Sequence, residues 1–356
     1  MGSRIIETLI LVNPKARNGV ILSHWTELHQ EILSALGLNE AKVVFTSSED
    51  HGSGLVKKAL KEGFKQIVVV GGDGTLSEVI QGFFENEKAI APDAVLMLMP
   101  GGRGDDFFKS MSHHFDLSSR SAWKQGLEIL KYGTPQPVDV GRIRWVDSSS
   151  ITPTIPATSM TSATIQGSKD FPVRYFMNIV SFGFPSLVVH RLLTKQGILA
   201  NSFLEKSAWA YVLEALTAVS KYKAIAVEVK VDDQVFYQGK MSYGFVLNGS
   251  YNSGGICWNP DTRIDDGLFN IRIIEASNLW NQFKRLSKVV MGSVGPISGV
   301  WSAQGKKIEV CLNRGEVKEY PLFEVDGDTP EPDQSLGAVI DIIPSGIQLK
   351  MPNKVK

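Results

Sequence analysis

The chain has 356 residues, 43% of them hydrophobic and 21% charged, with Lys+Arg and Asp+Glu balanced at 37 each. That length supports two domains with a core apiece, and the charge balance excludes a globally basic nucleic-acid binder. The two cysteines, Cys257 and Cys311, are too few for a disulfide framework and lack metal-ligand spacing, which points to a reducing compartment. The first strand starts so early that no room is left for a signal peptide, and no apolar run reaches the ~18 residues of a membrane span. Ile6 occupies the position where a myristoylation start carries Ser or Thr. A cytoplasmic protein is the expectation, with any membrane contact made by a local patch.

In chain order, the opening third alternates strands with helices. Thr8–Val12 reads as a strand running into the turn Asn13-Pro14-Lys15-Ala16-Arg17-Asn18-Gly19. Ile21, Trp25, Leu28, Ile32 and Leu36 then mark one helical face. A strand at Lys42–Phe45 and a helix at 55–63 follow, then the apolar run Ile67–Val70, which breaks at Gly71-Gly72-Asp73-Gly74-Thr75. Thr75 and Glu78 have capping-box spacing, so the next helix is expected to start there. A fourth strand, 94–99, ends at Pro100-Gly101-Gly102-Arg103-Gly104-Asp105-Asp106, and a helix near 122–131 closes the half. Such alternation predicts a doubly wound parallel sheet, whose ligands sit beyond the C-terminal strand ends.

Thr134-Pro135-Gln136-Pro137 reads as the domain hinge. Beyond it come strands at 138–144 and 175–180, separated by a Ser/Thr/Pro-rich surface loop over 147–169, and a helix over 201–223. Strand signals then recur at 225–231, 235–237, 242–247, 269–274, 307–311, 322–325, 338–343 and 347–351, with one helix at 279–291. The fold class is therefore an N-terminal doubly wound parallel α/β domain (1–136) with a C-terminal β-sandwich-like domain (137–345). The terminal strand, 346–356, is free to return to the first domain.

Three turn-rich loops end the strands of the first domain on the same edge: Asn13–Gly19, Gly71–Thr75 and Pro100–Asp106. A glycine turn before a helix N-terminus offers unhindered backbone N–H groups to an anion, and convergence of three such loops points to phosphate chemistry. Arg103 supplies a cation for phosphate oxygens. Downstream, Ile264-Asp265-Asp266-Gly267-Leu268 and Phe323-Glu324-Val325-Asp326-Gly327-Asp328 are each explained by Asp-Gly hairpin turns of type I′, or by a carboxylate serving as general base or Mg²⁺ ligand. No Walker-type P-loop, Gly-x-Gly-x-x-Gly after the first strand, His-Glu-x-x-His or Gly-x-Ser-x-Gly occurs. His113-His114 reads as a solvated helix end, with a metal site as the alternative.

Taken together, these blocks resemble the diacylglycerol kinase catalytic-domain family, which spans bacterial lipid kinases, sphingosine kinases and ceramide kinases. Asn13-Pro14, Gly71-Gly72-Asp73-Gly74-Thr75 with Glu78-Val79, and Pro100 through Asp106-Phe107 stand in the family's order. Pro137-Val138-Asp139-Val140-Gly141-Arg142, Asn178 through Gly183-Phe184, and Lys206 through Tyr211 follow. Asn248-Gly249 with Gly254-Gly255, Pro260 through Leu268, and Asp326-Gly327-Asp328 complete the series.

The resemblance implies an ATP- and Mg²⁺-dependent kinase of a lipid hydroxyl, peripheral at the inner membrane face. Nucleotide would bind at Asn13, Pro14, Lys15, Gly71, Gly72, Gly74, Thr75, Gly101, Gly102, Arg103, Gly104 and Asp105. By the same likeness Asp73 works on the Mg-phosphate or catalytic side and Asp326 is the candidate base. Asp328 stands where the family usually has Glu. Asp266, with the backbone carbonyls of Arg263 and Leu268, resembles a separate structural Mg²⁺ site. A homodimer is allowed, and nucleic acid is not an expected partner.

The third loop departs from the family's Gly-Thr/Ser-Gly-Asn-Asp: Gly102-Arg103-Gly104-Asp105-Asp106 exchanges a hydroxyl for a cation and a neutral amide for an anion. Altered nucleotide affinity, a different phosphate donor or a catalytically impaired nucleotide- or lipid-binding regulator are the readings this opens. Sphingosine-type enzymes place an acidic residue soon after Gly-Phe, whereas Gly183-Phe184 here precedes Pro185-Ser186-Leu187. A buried amine would lack its partner, so the lean is to diacylglycerol or a ceramide-like lipid. A sphingoid-base kinase is the alternative, as is a kinase of a soluble hydroxyl compound like the distantly similar NAD kinases. The helix at 279–291 sets Lys284, Arg285 and Lys288 beside Trp280 and Phe283, for packing on the sandwich or for docking at a bilayer.

Overall fold

Apolar runs with no alternation demand a sheet covered on both faces, and the computed structural model contains one. It describes residues 8–47, 49, 51–102, 104–111, 121–146, 151–152, 164–165, 171–194, 218, 222–290, 296–312, 321–330 and 337–353. The chain forms two compact units. One comprises Met1–Val140, Arg263–Asp266 and Pro344–Lys356, the other Gly141–Thr262 and Gly267–Ile343. Against the expected segments 1–136, 137–345 and 346–356, the seams therefore run differently, with a short piece from the middle of the chain grouped with the first unit.

In the first unit, β1 (Thr8–Val12), β2 (Lys42–Phe45), β3 (Gln66–Gly71) and β4 (Val95–Pro100) lie in the order β2-β1-β3-β4, all neighbours parallel. Ile10, Val12, Val68, Val70, Met97 and Met99 fill one core with Ile32 and Leu33 of α1 (Trp25–Leu36) and Leu130 of α5 (Ala122–Tyr132). The alternate residues Leu9, Leu11, Ile67, Val69 and Leu96 are equally buried. Between these elements lie α2 (Gly52–Glu62), α3 (Asp73–Gln81) and α4 (Asp106–Ser110). The chain leaves β1 toward β2 on one side and returns to β3 on the other. The strand order thus reverses between β1 and β3, where an open α/β sheet has its crevice.

In the second unit the long strands are antiparallel. They are β5 (Thr134–Val146), β6 (Arg174–Phe176), β7 (Ile179–Gly183), β8 (Ile225–Val231), β9 (Gln234–Leu247) and β10 (Phe269–Glu275). β11 (Val300–Gly305), β12 (Lys307–Leu312), β13 (Phe323–Val325) and β14 (Gly337–Met351) follow; residues 134–140 of β5 and 344–351 of β14 belong to the first unit. Two helices accompany them, α6 (Phe184–Leu193) and α7 (Leu279–Val290). The first part of β9 pairs with β8, and its second part pairs with both β7 and β10. Gly141 and Gly244 face Phe176 and Phe182 across the register, and a Cβ at either glycine would overlap the ring. Those glycines serve aromatic packing within the sheet.

Several expectations are corrected. Thr134–Pro137 is the start of β5 and no hinge; the strands expected at 235–237 and 242–247 are one, as are those at 338–343 and 347–351. β14 pairs antiparallel with β12 through Gly337–Asp341, then parallel with β4 at Gln348 and Leu349. β11 and α6 had no clear period in the sequence, because Pro185 and the exposed Trp301 blur it. The helix expected at 201–223, the loop 147–169 and His113-His114 lie outside the described residues, apart from 151–152, 164–165, Ala218, Tyr222 and Lys223.

Candidate functional site

The C-terminal ends of β1, β3 and β4 bring the three loops together. Asn13 N–H donates to Val70 O (3.0 Å), and its side-chain Nδ2 donates to Thr75 Oγ1 (2.8 Å), tying the first loop to the second. Lys15 N–H donates to Asn13 Oδ1 (2.9 Å), which closes an Asx turn and leaves the Lys15 side chain exposed. The second and third loops touch through glycines. Gly101 N–H donates to Gly71 O (2.9 Å), and a Cβ on Gly72 would stand 2.6 Å from Gly102 Cα. Only paired glycines permit that approach.

Helix α3 begins at Asp73 with Gly72 as its N-cap, so the expected capping box at Thr75 is overturned. Thr75 is buried in the first turn against Gly71, and Glu78 accepts from Gly52 N–H (3.3 Å) instead of capping its own helix. No side chain caps the α3 N-terminus. Asp73 reaches across to accept from Phe107 N–H (2.9 Å), and so fixes the start of α4. Gly74 differs from its neighbours: its backbone is helical and a Cβ there would meet nothing within 4 Å. Neither conformation nor packing requires that glycine, and its open side faces solvent.

Asp105 sits at the N-cap of α4 in a left-handed conformation (φ 47°), and its Oδ1 accepts from Gly102 N–H (2.7 Å). Burial pushes its carboxyl up to about 6; the Gly102 bond and the charges of Arg17 and Lys109 pull down, while the Asp73 charge pushes up. Gly71, Gly72, Asp73, Leu76, Pro100 and Asp105 line a small, open cleft of about 20 Å³. Gly104 lies beside Asp106, and Arg103 lies outside the described residues.

In the second unit Val325 and Asp328 exchange both backbone hydrogen bonds (2.8 and 3.0 Å), with Asp326 (φ 47°) and Gly327 (φ 87°) between them. That is the type I′ turn expected of Asp-Gly. The turn also carries a held carboxylate. Asp326 accepts from the backbone N–H groups of Met177 (2.8 Å), Asn178 (3.1 Å) and Ile179 (2.8 Å). Asp328 is half exposed and pairs with Arg174 (3.3 Å). Behind the turn, Glu324 is fully buried, accepting from Ser181 Oγ and from Gly327 N–H (2.5 Å). Burial raises its carboxyl to about 7 against those two hydrogen bonds, and Asp326 and Asp328 add to the rise.

Residues 7–143 match the family model of the diacylglycerol kinase catalytic domain, and residues 189–351 match that of the YegS C-terminal NAD kinase beta sandwich-like domain. The chain thus carries a diacylglycerol kinase catalytic domain over residues 7–143, followed by a YegS-type C-terminal domain over residues 189–351. A diacylglycerol kinase of Staphylococcus carnosus (strain TM300) is 25% identical over 224 residues, 63% of this chain and 58% of that protein. The diacylglycerol kinase of Staphylococcus saprophyticus subsp. saprophyticus is 24% identical over 222 residues, 62% of this chain and again 58% of the relative. The chain thus spans less than two thirds of these curated relatives. The crystal structure of a diacylglycerol kinase from Bacillus anthracis str. Sterne shares the fold: TM-score 0.66, 17% identity, 98% of each chain covered.

The metal candidates Arg263, Asp266 and Leu268 lie on one loop, where Arg263 pairs with Asp265 (3.0 Å) and Asp266 is exposed. Gly267 takes the left-handed conformation while Asp266 does not, so the Asp-Gly here forms no type I′ turn. Within the first unit, Asp139 N–H donates to Ile264 O (2.8 Å), while Asp139 Oδ1 accepts from Ser345 N–H (2.9 Å). Among the described residues no three of His, Cys, Asp and Glu gather as a metal cluster. One carboxylate with backbone carbonyls and water still fits Mg²⁺, which keeps much of its hydration.

Arg17 and Glu324 are the residues that family motifs did not single out. Arg17 (φ 48°), with Asn18 (φ 58°) and Gly19 (φ 85°), forms a left-handed run that gives the first loop its shape. Asn tolerates that conformation, whereas Arg17 adopts it at some cost. Glu324 stood inside a quoted motif, yet only the fold shows that its carboxylate is sealed from water.

Proposed function

We propose that the chain is an ATP-dependent lipid kinase that transfers the γ-phosphate to the hydroxyl of a membrane lipid, with diacylglycerol or a ceramide-like neutral lipid as acceptor. The observation that carries this reading is Gly74, an open glycine at the uncapped N-terminus of α3, amid three loops at the strand-order reversal. There the backbone N–H groups of a helix start stand available to phosphate oxygens, with its dipole favouring the anion. Asp73 is held in orientation by Phe107 N–H, and Arg17 and Lys109 supply positive charge around Asp105.

The cradle fits a nucleotide triphosphate carried with Mg²⁺, because acidic Asp73 and Asp105 beside phosphates call for a cation. Bound Mg²⁺ supplies neutralisation of the charge that develops in phosphoryl transfer, and Asp73 is the side chain assigned to that metal–phosphate side. Asp326 is the candidate base by its place in the family. Its carboxylate is fixed by three main-chain donors, so it is delivered in one orientation. Contact with the cytoplasmic membrane face follows from an acceptor that resides in a bilayer.

The test is transfer of labelled γ-phosphate from ATP, with Mg²⁺, into micellar diacylglycerol, ceramide, sphingoid bases and monoacylglycerol, beside a soluble alcohol panel. Incorporation into a neutral lipid supports the reading, and incorporation into sphingoid bases alone moves the assignment to that alternative. Activity on soluble alcohols without lipid refutes it. A second reading, a nucleotide-binding regulator without turnover, is favoured by the buried anion Asp105 where the family has a neutral amide. Thermal stabilisation by ATP with no incorporation anywhere would select it.

A further inference from the structure

Strands β7 and β13 of the second unit meet at the turn that carries Asp326. In their antiparallel ladder Ser181 stands opposite Glu324, and Val180 opposite Val325. Phe323 and Val325 fill the core with Val180 and Phe182. Glu324 and Ser181 therefore project to the other face, where Ile179 packs with Leu187 and Val188 of α6. There Glu324 is 1% exposed. It accepts at Oε2 from Ser181 Oγ and at Oε1 from Gly327 N–H (2.5 Å). The second bond grips the peptide that joins Asp326 to Gly327. Strand β13 is three residues long, and among the described residues its outgoing arm is tied back by the one Val325–Asp328 bridge. Gly327 and Asp328 are exposed, so little else packs on the turn. A carboxyl in apolar surroundings is costly, and burial raises this one to about 7. An apolar side chain of the same length would fill the space without that cost.

We infer that Glu324 is a positioning residue: its bonds to Ser181 and Gly327 fix the Asp326–Gly327 turn against β7, so that Asp326 meets the acceptor hydroxyl in one orientation. The amides of residues 177–179 orient the Asp326 carboxylate, and Asp326 N–H donates to Ile179 O (3.0 Å). Glu324 holds the main chain on the far side of the same residue. Ser181 lies on the strand that also supplies Ile179, so both grips refer the base to one element. A carboxylic acid or an amide serves here as well as a carboxylate, since each offers an oxygen to Gly327 N–H and a polar group to Ser181. The consequence for turnover rests on the reading of Asp326 as base; the hold on the turn does not.

The experiment compares Glu324→Gln and Glu324→Met in the full chain, by phosphotransfer from ATP to micellar diacylglycerol and by hydrogen–deuterium exchange over residues 325–328. The Met variant is expected to hold or raise the melting temperature at pH 8, because the desolvated carboxylate is gone and the exposed Gly327 N–H can turn to water. Its kcat should fall about a hundredfold at unchanged KM for ATP, as for a misplaced reacting group, and its turn amides should exchange faster. The Gln variant is expected to match the parent in kcat, KM and exchange. Ser181→Ala deletes one oxygen and one of the two bonds; it should lower kcat up to about tenfold, and it decides the matter should Glu324→Met not fold. Parent-like kcat and exchange in the folded Met variant overturn the inference. A Gln variant as impaired as the Met variant overturns it in favour of a required negative charge. Loss of melting temperature and kcat together with a raised KM for ATP overturns it in favour of a structural role alone. Faster exchange in the Met variant only, from a parent without phosphotransfer or with turnover that survives Asp326→Asn, upholds the hold on the turn and refutes the kinase or base reading instead.

Discussion

Replacing Asp105 with Asn restores the amide that the family carries and removes one buried negative charge. Asn keeps an oxygen to accept from Gly102 N–H and tolerates the left-handed backbone at this position, so geometry changes little. A carboxyl raised from 3.8 to about 6 corresponds, at about 1.4 kcal/mol per pKa unit, to a penalty of about 3 kcal/mol for the ionised form. Because the folded-state pKa is raised, the penalty is absent below pH 3.8, grows as pH climbs toward 6, and is complete above it. Asp105→Asn is therefore expected to stabilise the protein by up to about 3 kcal/mol at pH 8, a figure that already includes the attraction of Arg17 and Lys109. The advantage should shrink to nothing near pH 4. Urea unfolding at pH 8 and at pH 4.5 measures it, and ATP titration at pH 8 should show tighter binding by the variant. A variant no more stable than the parent at pH 8, or equally favoured at both pH values, refutes the reasoning.

Other substitutions probe the glycines and carboxylates. Gly72→Ala drives a Cβ to 2.6 Å from Gly102 Cα and is expected to cost about 1–3 kcal/mol by forcing the loops apart. Gly74→Ala has open space and a helical backbone, so its melting temperature should hold or rise while ATP affinity falls; unchanged affinity would mean that no ligand uses that space. Glu324→Gln should flatten the stability–pH curve between pH 4.5 and 7, the window in which the parent loses stability as its raised carboxyl is forced to ionise. Parallel curves for the two proteins would show that Glu324 does not titrate there. Asp326→Asn sets an NH₂ group against one of three main-chain donors, at a cost of about 1–3 kcal/mol. Phosphotransfer by the folded variant should drop by orders of magnitude, and surviving turnover would remove Asp326 from the role of base.

The parallel sheet was legible in the sequence because β1, β3 and β4 are buried on both faces and read as uninterrupted apolar runs. Element boundaries in the second unit were less so. β9 and β14 change neighbours along their length, so each shows two patterns joined where sequence suggests a break. The start of α3 was misplaced for a related reason: Thr75 and Glu78 have capping spacing, but both side chains are taken by other segments.

The amino-acid sequence alone determined the class of fold, the three turn-rich loops and the family motifs, since each rests on residue type and short spacing. Tertiary structure alone decided what the individual residues do. It separated Gly72, which permits loop contact, from Gly74, which faces open space. It set Asp105 beside Asp73 in a buried setting, sealed Glu324 behind its turn, and tied Asp326 to the amides of residues 177–179. Those distinctions arise from burial and from partners far away in the chain, and no local spacing encodes either.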